Sequence, residues 1–196
     1  MSDRYGRVEV TSREQWRAWL AEHHAELPGI WLVTHKKSAG PQHVPYADVV
    51  EEALCFGWVD SKGLGLDEQR SMLLMTPRKR GSGWSRPNKE RIERLTADGR
   101  IEPAGQAVID RAREDGSWTA LDAVENLEEP PDLVAALDAD PDARRHWDAF
   151  PRSAKRAALD RIRLAKRPET RARRIAETAG SAARGERTDQ WRPKER

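Results

Sequence analysis

The sequence predicts an α+β fold: a small antiparallel sheet covered by helices, followed by an all-helical annex. Three observations carry that expectation. Short β-branched or alternating runs are confined to the first 75 residues, helical periodicity dominates after Ser85, and eight Trp in 196 residues supply core surface although 35% of the chain is charged. The expected organisation is a core domain at 1–118, a helical annex packed on it at 119–184, and a polar tail at 185–196.

Residues 7–10 (RVEV) alternate as a short strand does, and Thr11-Ser12 followed by Glu14 and Gln15 is a helix N-cap signal. A helix over 12–22 places Trp16, Trp19 and Leu20 on one apolar face. Pro28-Gly29 marks a turn into a second strand, 30–36, whose end presents Lys36. Residues 38–44 read as a loop. Pro45 then opens a helix with Tyr46, Val49, Val50, Ala53, Leu54 and Phe56 at helical spacing, closed by Gly57. Cys55 in that run reads as a small buried hydrophobe, since nothing local favours its thiolate.

Residues 58–66 and 69–75 predict a hairpin about Asp67-Glu68, with a longer loop from Gly63 as the alternative. A two-residue turn puts Asp60 with Trp58 on one face and Ser61 with Gly63 on the other, and sets Arg70 near Gly65 across the ladder. Asp60 beside a core Trp then needs a partner, because a buried unpaired carboxylate is costly. Residues 76–84 form a basic, glycine-interrupted loop that leads to Ser85 as N-cap and Pro87 in the first turn of a helix over 87–97. A further helix starts near Glu102-Pro103-Ala104. Beyond it, 121–127 is short or irregular, and helices are expected at 132–137, 141–150, 153–164 and 169–183, before a polar tail from Gly185 relieved only by Trp191.

A net charge of +2 hides segregation: residues 110–148 hold 12 acidic against 4 basic side chains, and residues 151–196 hold 15 basic against 6 acidic. Such blocks favour contact with each other or an acidic partner for the basic one. A single cysteine forbids an internal disulfide and fits a reducing cytoplasm. No signal peptide or lipidation motif opens the chain, and no apolar run approaches the ~20 residues of a membrane span. Scattered His23, His24, His35, His43 and His146 lack metal-ligand spacing, no GxSxG elbow or Walker loop occurs, and no cofactor is expected.

The strongest constellation is Arg78, Lys79, Arg80, Ser82, Trp84, Ser85 and Asn88, just before and at a helix start, where amide N–H groups and arginine favour anions. Asp60, or a Tyr46–Lys36 pair, is the candidate for general acid/base work. The basic helices carrying Arg156, Arg161, Arg163, Lys166, Arg167, Arg171 and Arg173 allow a less favoured nucleic-acid reading, because the acidic middle can occupy those charges.

The run Tyr46 to Ser61 (YADVVEEALCFGWVDS), then Leu66-Asp67-Glu68, Thr76-Pro77-Arg78, Gly81 to Ser85 (GSGWS), Asn88-Lys89, Gly99-Arg100 and Pro103-Ala104-Gly105, resembles the YdeI/OmpD-associated family, also called bacteriocin-protection proteins. Ala165 to Ile175 (AKRPETRARRI) resembles that family's C-terminal signature. The family's name reflects bacteriocin tolerance and outer-membrane protein genes rather than an established activity. The resemblance implies a cytoplasmic α+β domain followed by helices. It matches Trp58, Asp60, Ser61, Arg70, Arg78, Trp84, Ser85 and Asn88 to the central motif, and Lys166, Arg171 and Arg174 to the C-terminal one.

Two stretches depart from the family pattern. Ser71-Met72-Leu73-Leu74-Met75 is less polar and aromatic, and the helix near Ala154, Arg156 and Asp160 lacks the usual Asn and Tyr. If these line the cleft, one wall is more apolar. The resulting expectation is a cleft between hairpin, basic loop and annex that binds a small molecule or anion. In it Arg70, Arg78, Lys36, Lys166 and Arg171 supply charge, Ser61, Ser85 and Asn88 supply hydrogen bonds, and Trp58 and Trp84 form an apolar wall. The alternatives are an enzyme using Asp60 as base, and an adaptor working through the C-terminal arginines.

Overall fold

A computed structural model describes residues 5–188, so Trp191 and the end of the expected tail lie outside the described residues. The chain divides into two compact units, Met1–Ala120 and Leu121–Arg196. The first holds strands β1 (Arg7–Glu9), β2 (Ile30–His35), β3 (Trp58–Gly65) and β4 (Arg70–Pro77), with helices α1 (Arg13–His23), α2 (Tyr46–Cys55), α3 (Arg86–Ala97) and α4 (Pro103–Glu114). The second holds α5 (Asp122–Glu125), α6 (Pro131–Asp138), α7 (Pro141–Ala149), α8 (Arg152–Arg163) and α9 (Pro168–Ala183). The α+β class follows.

The sheet order is β1-β2-β4-β3 and the sheet is mixed, not wholly antiparallel, because β1 runs parallel to β2 with Val8 opposite Leu32. The cause is α1, which carries the chain back along the sheet between the two strands, the connection a parallel pair requires. Its start is fixed as the sequence suggests: Ser12 Oγ accepts the Gln15 N–H at 3.2 Å, and Gln15 Oε1 accepts the Thr11 N–H at 2.8 Å. The expected loop after β2 contains instead a 3-10 turn over Lys37–Gln42.

The core of this unit gathers Trp16 and Leu20 of α1, Val49, Val50, Ala53 and Leu54 of α2, Ile30, Leu32 and Met75 of the sheet, and Ile92, Leu95 and Ile109 of α3 and α4. Each Val, Leu, Ile or Met among them contributes about 1.5–3 kcal/mol by leaving water. Trp16 also donates its indole N–H to the Val49 carbonyl at 3.0 Å, so it locks α1 to α2 as well as filling space. Gly57 ends α2 at φ 75°, and a Cβ there would sit 2.7 Å from Val108 Cγ2, which explains the residue on two counts. Cys55 is buried, and burial pushes its thiol pKa up, in keeping with a packing role.

The hairpin departs from the expected two-residue turn. Residues 66–69 form its loop, with Asp67 Oδ1 accepting the N–H groups of Gln69 (2.9 Å) and Arg70 (2.7 Å), a side chain doing what an unfavoured Asp-Glu pair cannot do alone. The register therefore sets Gly65 opposite Ser71, and the Leu66 N–H bonds the Arg70 carbonyl at 3.1 Å. A bulge between Asp60 and Gly63 adds one residue to β3, so Asp60 and Gly63 pair with Met75 and Leu73 and share a face. The expected grouping of Gly63 with Ser61 is corrected by that extra residue.

The second unit packs Leu133, Leu137, Trp147, Leu159, Ile162 and Ile175. Its opposite charges pair internally: Arg156 with Glu125 (2.8 Å), Arg171 with Asp132 (2.7 Å) and Arg144 with Glu129 (2.7 Å). Glu129 also accepts the Trp147 indole N–H at 2.7 Å. Hydrogen bonds from Arg144 hold the Glu129 carboxyl below its ordinary value of 4.5, against the opposing effect of burial and with help from Trp147. A depressed carboxylate pKa contributes stability that is present above the unfolded value and lost as pH falls through the folded one. Glu129→Gln is thus expected to cost about 1 kcal/mol at pH 7 and progressively less as pH falls below about 4.5, read by thermal melts across that range. A wild-type advantage of equal size at pH 3 would show that the carboxylate's charge is not what matters.

Candidate functional site

Glycine makes an open groove in the first unit. Gly63 and Gly65 occupy alternate positions of β3, opposite Leu73 and Ser71 of β4, on the face that carries Leu32 and Thr34 of β2. A Cβ at Gly65 would meet nothing within 4 Å, and one at Gly63 only Leu73 Cδ1 at 3.9 Å. Two missing side chains leave a groove of about 470 Å³, floored by strand backbone and Leu73 and walled by His43, Val44, Tyr46 and Val49. Ser71, Met72 and Leu73 line it, so the first stretch that departs from the family pattern forms part of an apolar wall.

Polar groups stand at its margins. Tyr46 donates its hydroxyl to Asp60 Oδ2 at 2.8 Å, giving Asp60 the partner its position demands. Burial, and then the bond to Asp60, push the Tyr46 pKa up to about 12, with Arg91 opposing, so the phenol remains a donor at neutral pH. His43 bonds through Nδ1 to the His35 carbonyl at 2.7 Å; an acceptor there requires the proton on Nδ1, which leaves Nε2 as the second functional nitrogen. Lys36 lines the groove, and its ammonium donates to the carbonyls of Asp67 (2.8 Å) and Glu68 (3.3 Å).

The other expected site residues are dispersed. Arg70 is engaged by Asp67 (2.7 Å) and Glu9 (2.8 Å) at the hairpin end. Ser61 is exposed and reaches only the Leu74 carbonyl, at 3.5 Å. Trp58 and Trp84 are core residues, 1% exposed each, and Trp58 spends its indole N–H on the His24 carbonyl at 3.0 Å. Neither lines the groove. Ser85 holds the N-cap position of α3, but its side chain makes no capping bond, and Asn88 accepts from Arg91 at 3.0 Å. Lys166 and Arg171 belong to the second unit, where Arg171 is held by Asp132.

Arg78 is the unusual charge. It is 7% exposed, lies 3.7 Å over the Trp84 ring and donates from Nη2 to the Gly83 carbonyl at 2.5 Å, while Nε and Nη1 are buried with no hydrogen-bond partner among the described residues. Burial lowers its pKa to about 10, although Asp60 draws it the other way. Of the residues expected in the cleft, only Lys36 lines the groove itself, Asp60 meets it through Tyr46, and Arg78 lines a separate small pocket; His43, which lines the groove, was not among the expected site residues. Sequence reasoning also missed the glycine pair, whose signal was legible as two glycines at i, i+2 inside a strand.

Among the described residues no helix is long and apolar enough to cross a membrane, and no group of three or more His, Cys, Asp or Glu is placed to hold a metal ion. The molecule is thus an α+β sheet unit with a glycine-floored groove, continued by an all-helical unit. Residues 8–108, just over half of the chain, match the family model described as a domain of unknown function, DUF8412, and the chain belongs to that family. Residues 126–185 match the model described as "Bacteriocin-protection, YdeI or OmpD-Associated". The resemblance to that second family is therefore shown over the helical unit, including Ala165 to Ile175, whereas the run from Tyr46 to Gly105 falls in the first match. No curated protein and no solved structure matches the chain.

Proposed function

We propose that the first unit binds a flat, largely apolar small molecule with an anionic head in the Gly63/Gly65 groove. The glycine floor carries this reading, because it exposes strand backbone and Leu73 to a planar ligand, the arrangement typical of small-molecule sites. Lys36 and His43 supply the positive and hydrogen-bonding edge, and the Tyr46 hydroxyl supplies a neutral donor. A ligand-binding role in the cytoplasm accords with the lone buried cysteine, and one in bacteriocin tolerance accords with the name of the family matched by the helical unit.

Gly65→Val tests the groove without threatening the fold, since its Cβ has open space and a β-branched residue favours a strand. The variant is expected to be as stable as wild type or up to about 1 kcal/mol more stable. It should also lose the thermal shift that aromatic carboxylates give the wild type. Compounds that stabilise both proteins equally would place the ligand elsewhere.

The Tyr46–Asp60 hydrogen bond favours one second reading, general acid/base catalysis on a ligand in the same groove. Asp60→Asn would then abolish turnover while leaving the ligand-induced shift in place; equal turnover in both proteins excludes Asp60 as base.

A further inference from the structure

Arg78 poses a problem that the groove does not solve. A buried guanidinium is expected to be paired or fully hydrogen-bonded, because an uncompensated one costs several kcal/mol. Here Nε and Nη1 have no partner among the described residues, and Asp60, the carboxylate that acts on it electrostatically, is bonded to Tyr46. The planar ion is nonetheless held firmly, stacked on Trp84, which packs in turn against Trp118 with ring centres 4.9 Å apart. Its orientation is fixed by Trp84 and by the Nη2 bond to Gly83, while Nε and Nη1 are unused among the described residues.

The surroundings select what those donors take. Arg78 lines a small pocket of about 10 Å³ with Lys79, Arg80, Ser82, Arg111 and Asp115. That volume admits one water-sized group. Lys79 and Arg80 lie exposed on the loop, and Arg80 stands 3.5 Å from Asp115, the one carboxylate of the lining. Four cations against one anion favour a multiply charged oxyanion over a single carboxylate, and arginine's fixed fork suits phosphate oxygens.

We propose that this loop is a phosphate-binding site, separate from the groove, in which one oxygen of a terminal phosphate enters against Arg78. The remaining oxygens lie under Lys79 and Arg80, and the organic part of a phosphomonoester stays outside the pocket. The site is made in the first unit alone and does not depend on what the groove binds.

The experiment is a thermal-shift and calorimetric titration of the full chain with inorganic phosphate, using chloride at matched ionic strength and acetate as controls. The expected result is a saturable stabilisation by phosphate that reaches roughly 5 °C at a hundredfold excess over Kd, with little response to acetate. Arg78→Met, which retains apolar contact with Trp84, should weaken phosphate binding at least tenfold. If that variant does not fold, the double variant Lys79→Gln with Arg80→Gln decides the matter, because both side chains are exposed: at least a tenfold loss supports the site, and unchanged affinity overturns it. Equal responses to phosphate and chloride in the wild type would overturn it directly and leave Arg78 hydrated by buried water.

Discussion

Glu52→Ala is expected to lower the stability of the sheet-bearing unit by about 3 kcal/mol, read as lower thermal and urea midpoints with an unchanged m-value. Glu52 is 0% exposed, at the edge of the apolar face of α2. Its carboxylate accepts from Arg13 Nε at 2.5 Å and Arg17 Nη1 at 2.8 Å, and also from Arg100, so one buried charge ties α1 and the turn after α3 to α2. Burial is the largest single influence and lowers the pKa values of Arg13 and Arg17, yet the bonds and charge of Glu52 together with those of neighbouring groups outweigh it, and both stay above their usual value.

Removing the carboxylate leaves three guanidinium groups around an apolar gap. Breaking a buried pair this way typically costs 3–5 kcal/mol, and the lower end applies because the arginines are 22–35% exposed and partly screened by water. Asp48 and Glu51 still hold Arg13, and Glu102 still holds Arg17, which also moderates the loss. Glu52→Gln keeps the shape and should fall between. A Glu52→Ala protein within about 0.5 kcal/mol of wild type would show that solvent already satisfies these arginines.

Gly105→Ala should destabilise the same unit by about 3 kcal/mol, against the usual sign for glycine-to-alanine in a helix. Gly105 lies in α4 where the helix crosses the end of α2, and a Cβ would stand 2.2 Å from the Cys55 carbonyl oxygen and 2.7 Å from its carbon. Both are backbone atoms. The same carbonyl accepts the Glu102 N–H at 3.0 Å, so a retreat of α4 from α2 would also strain the bond that joins its N-cap to the last residue of α2. Gly180→Ala in α9 is the internal control, since its Cβ would meet only Arg184 Nη1 at 3.8 Å. That change should stabilise by roughly 1 kcal/mol. Melting curves that moved in the same direction for both variants would mean the close approach of α4 to α2 relaxes at no cost.

Much of this fold was legible because local pattern fixes which face of an element is buried. The spacing of Trp16 and Leu20, and of Val49, Val50, Ala53 and Leu54, specifies two helices with apolar faces, and the structure buries those residues. Gly57 reads as a helix terminator for a reason confined to its own backbone. The site was less legible. Arg70 and Arg78 look alike as basic residues at the two ends of one strand, yet Arg70 is half-buried and paired twice, while Arg78 is buried with no carboxylate bonded to it among the described residues. The bulge after Asp60 also reverses the facing of Gly63, because a period of two cannot survive one added residue.

Sequence alone was enough for the α+β class, for most strands and helices, and for the apolar faces of the first two helices, since periodicity and capping act over one or two turns; it set Trp58 and Trp84 on a cleft wall, whereas both are core. Tertiary structure alone decided the parallel pairing of β1 with β2, the glycine floor shared with Leu73 and Ser71, the Arg13–Glu52 contact across 39 positions, and the isolation of Arg78 on Trp84. Those features depend on which distant groups packing brings within bonding distance, and local sequence carries no record of that distance.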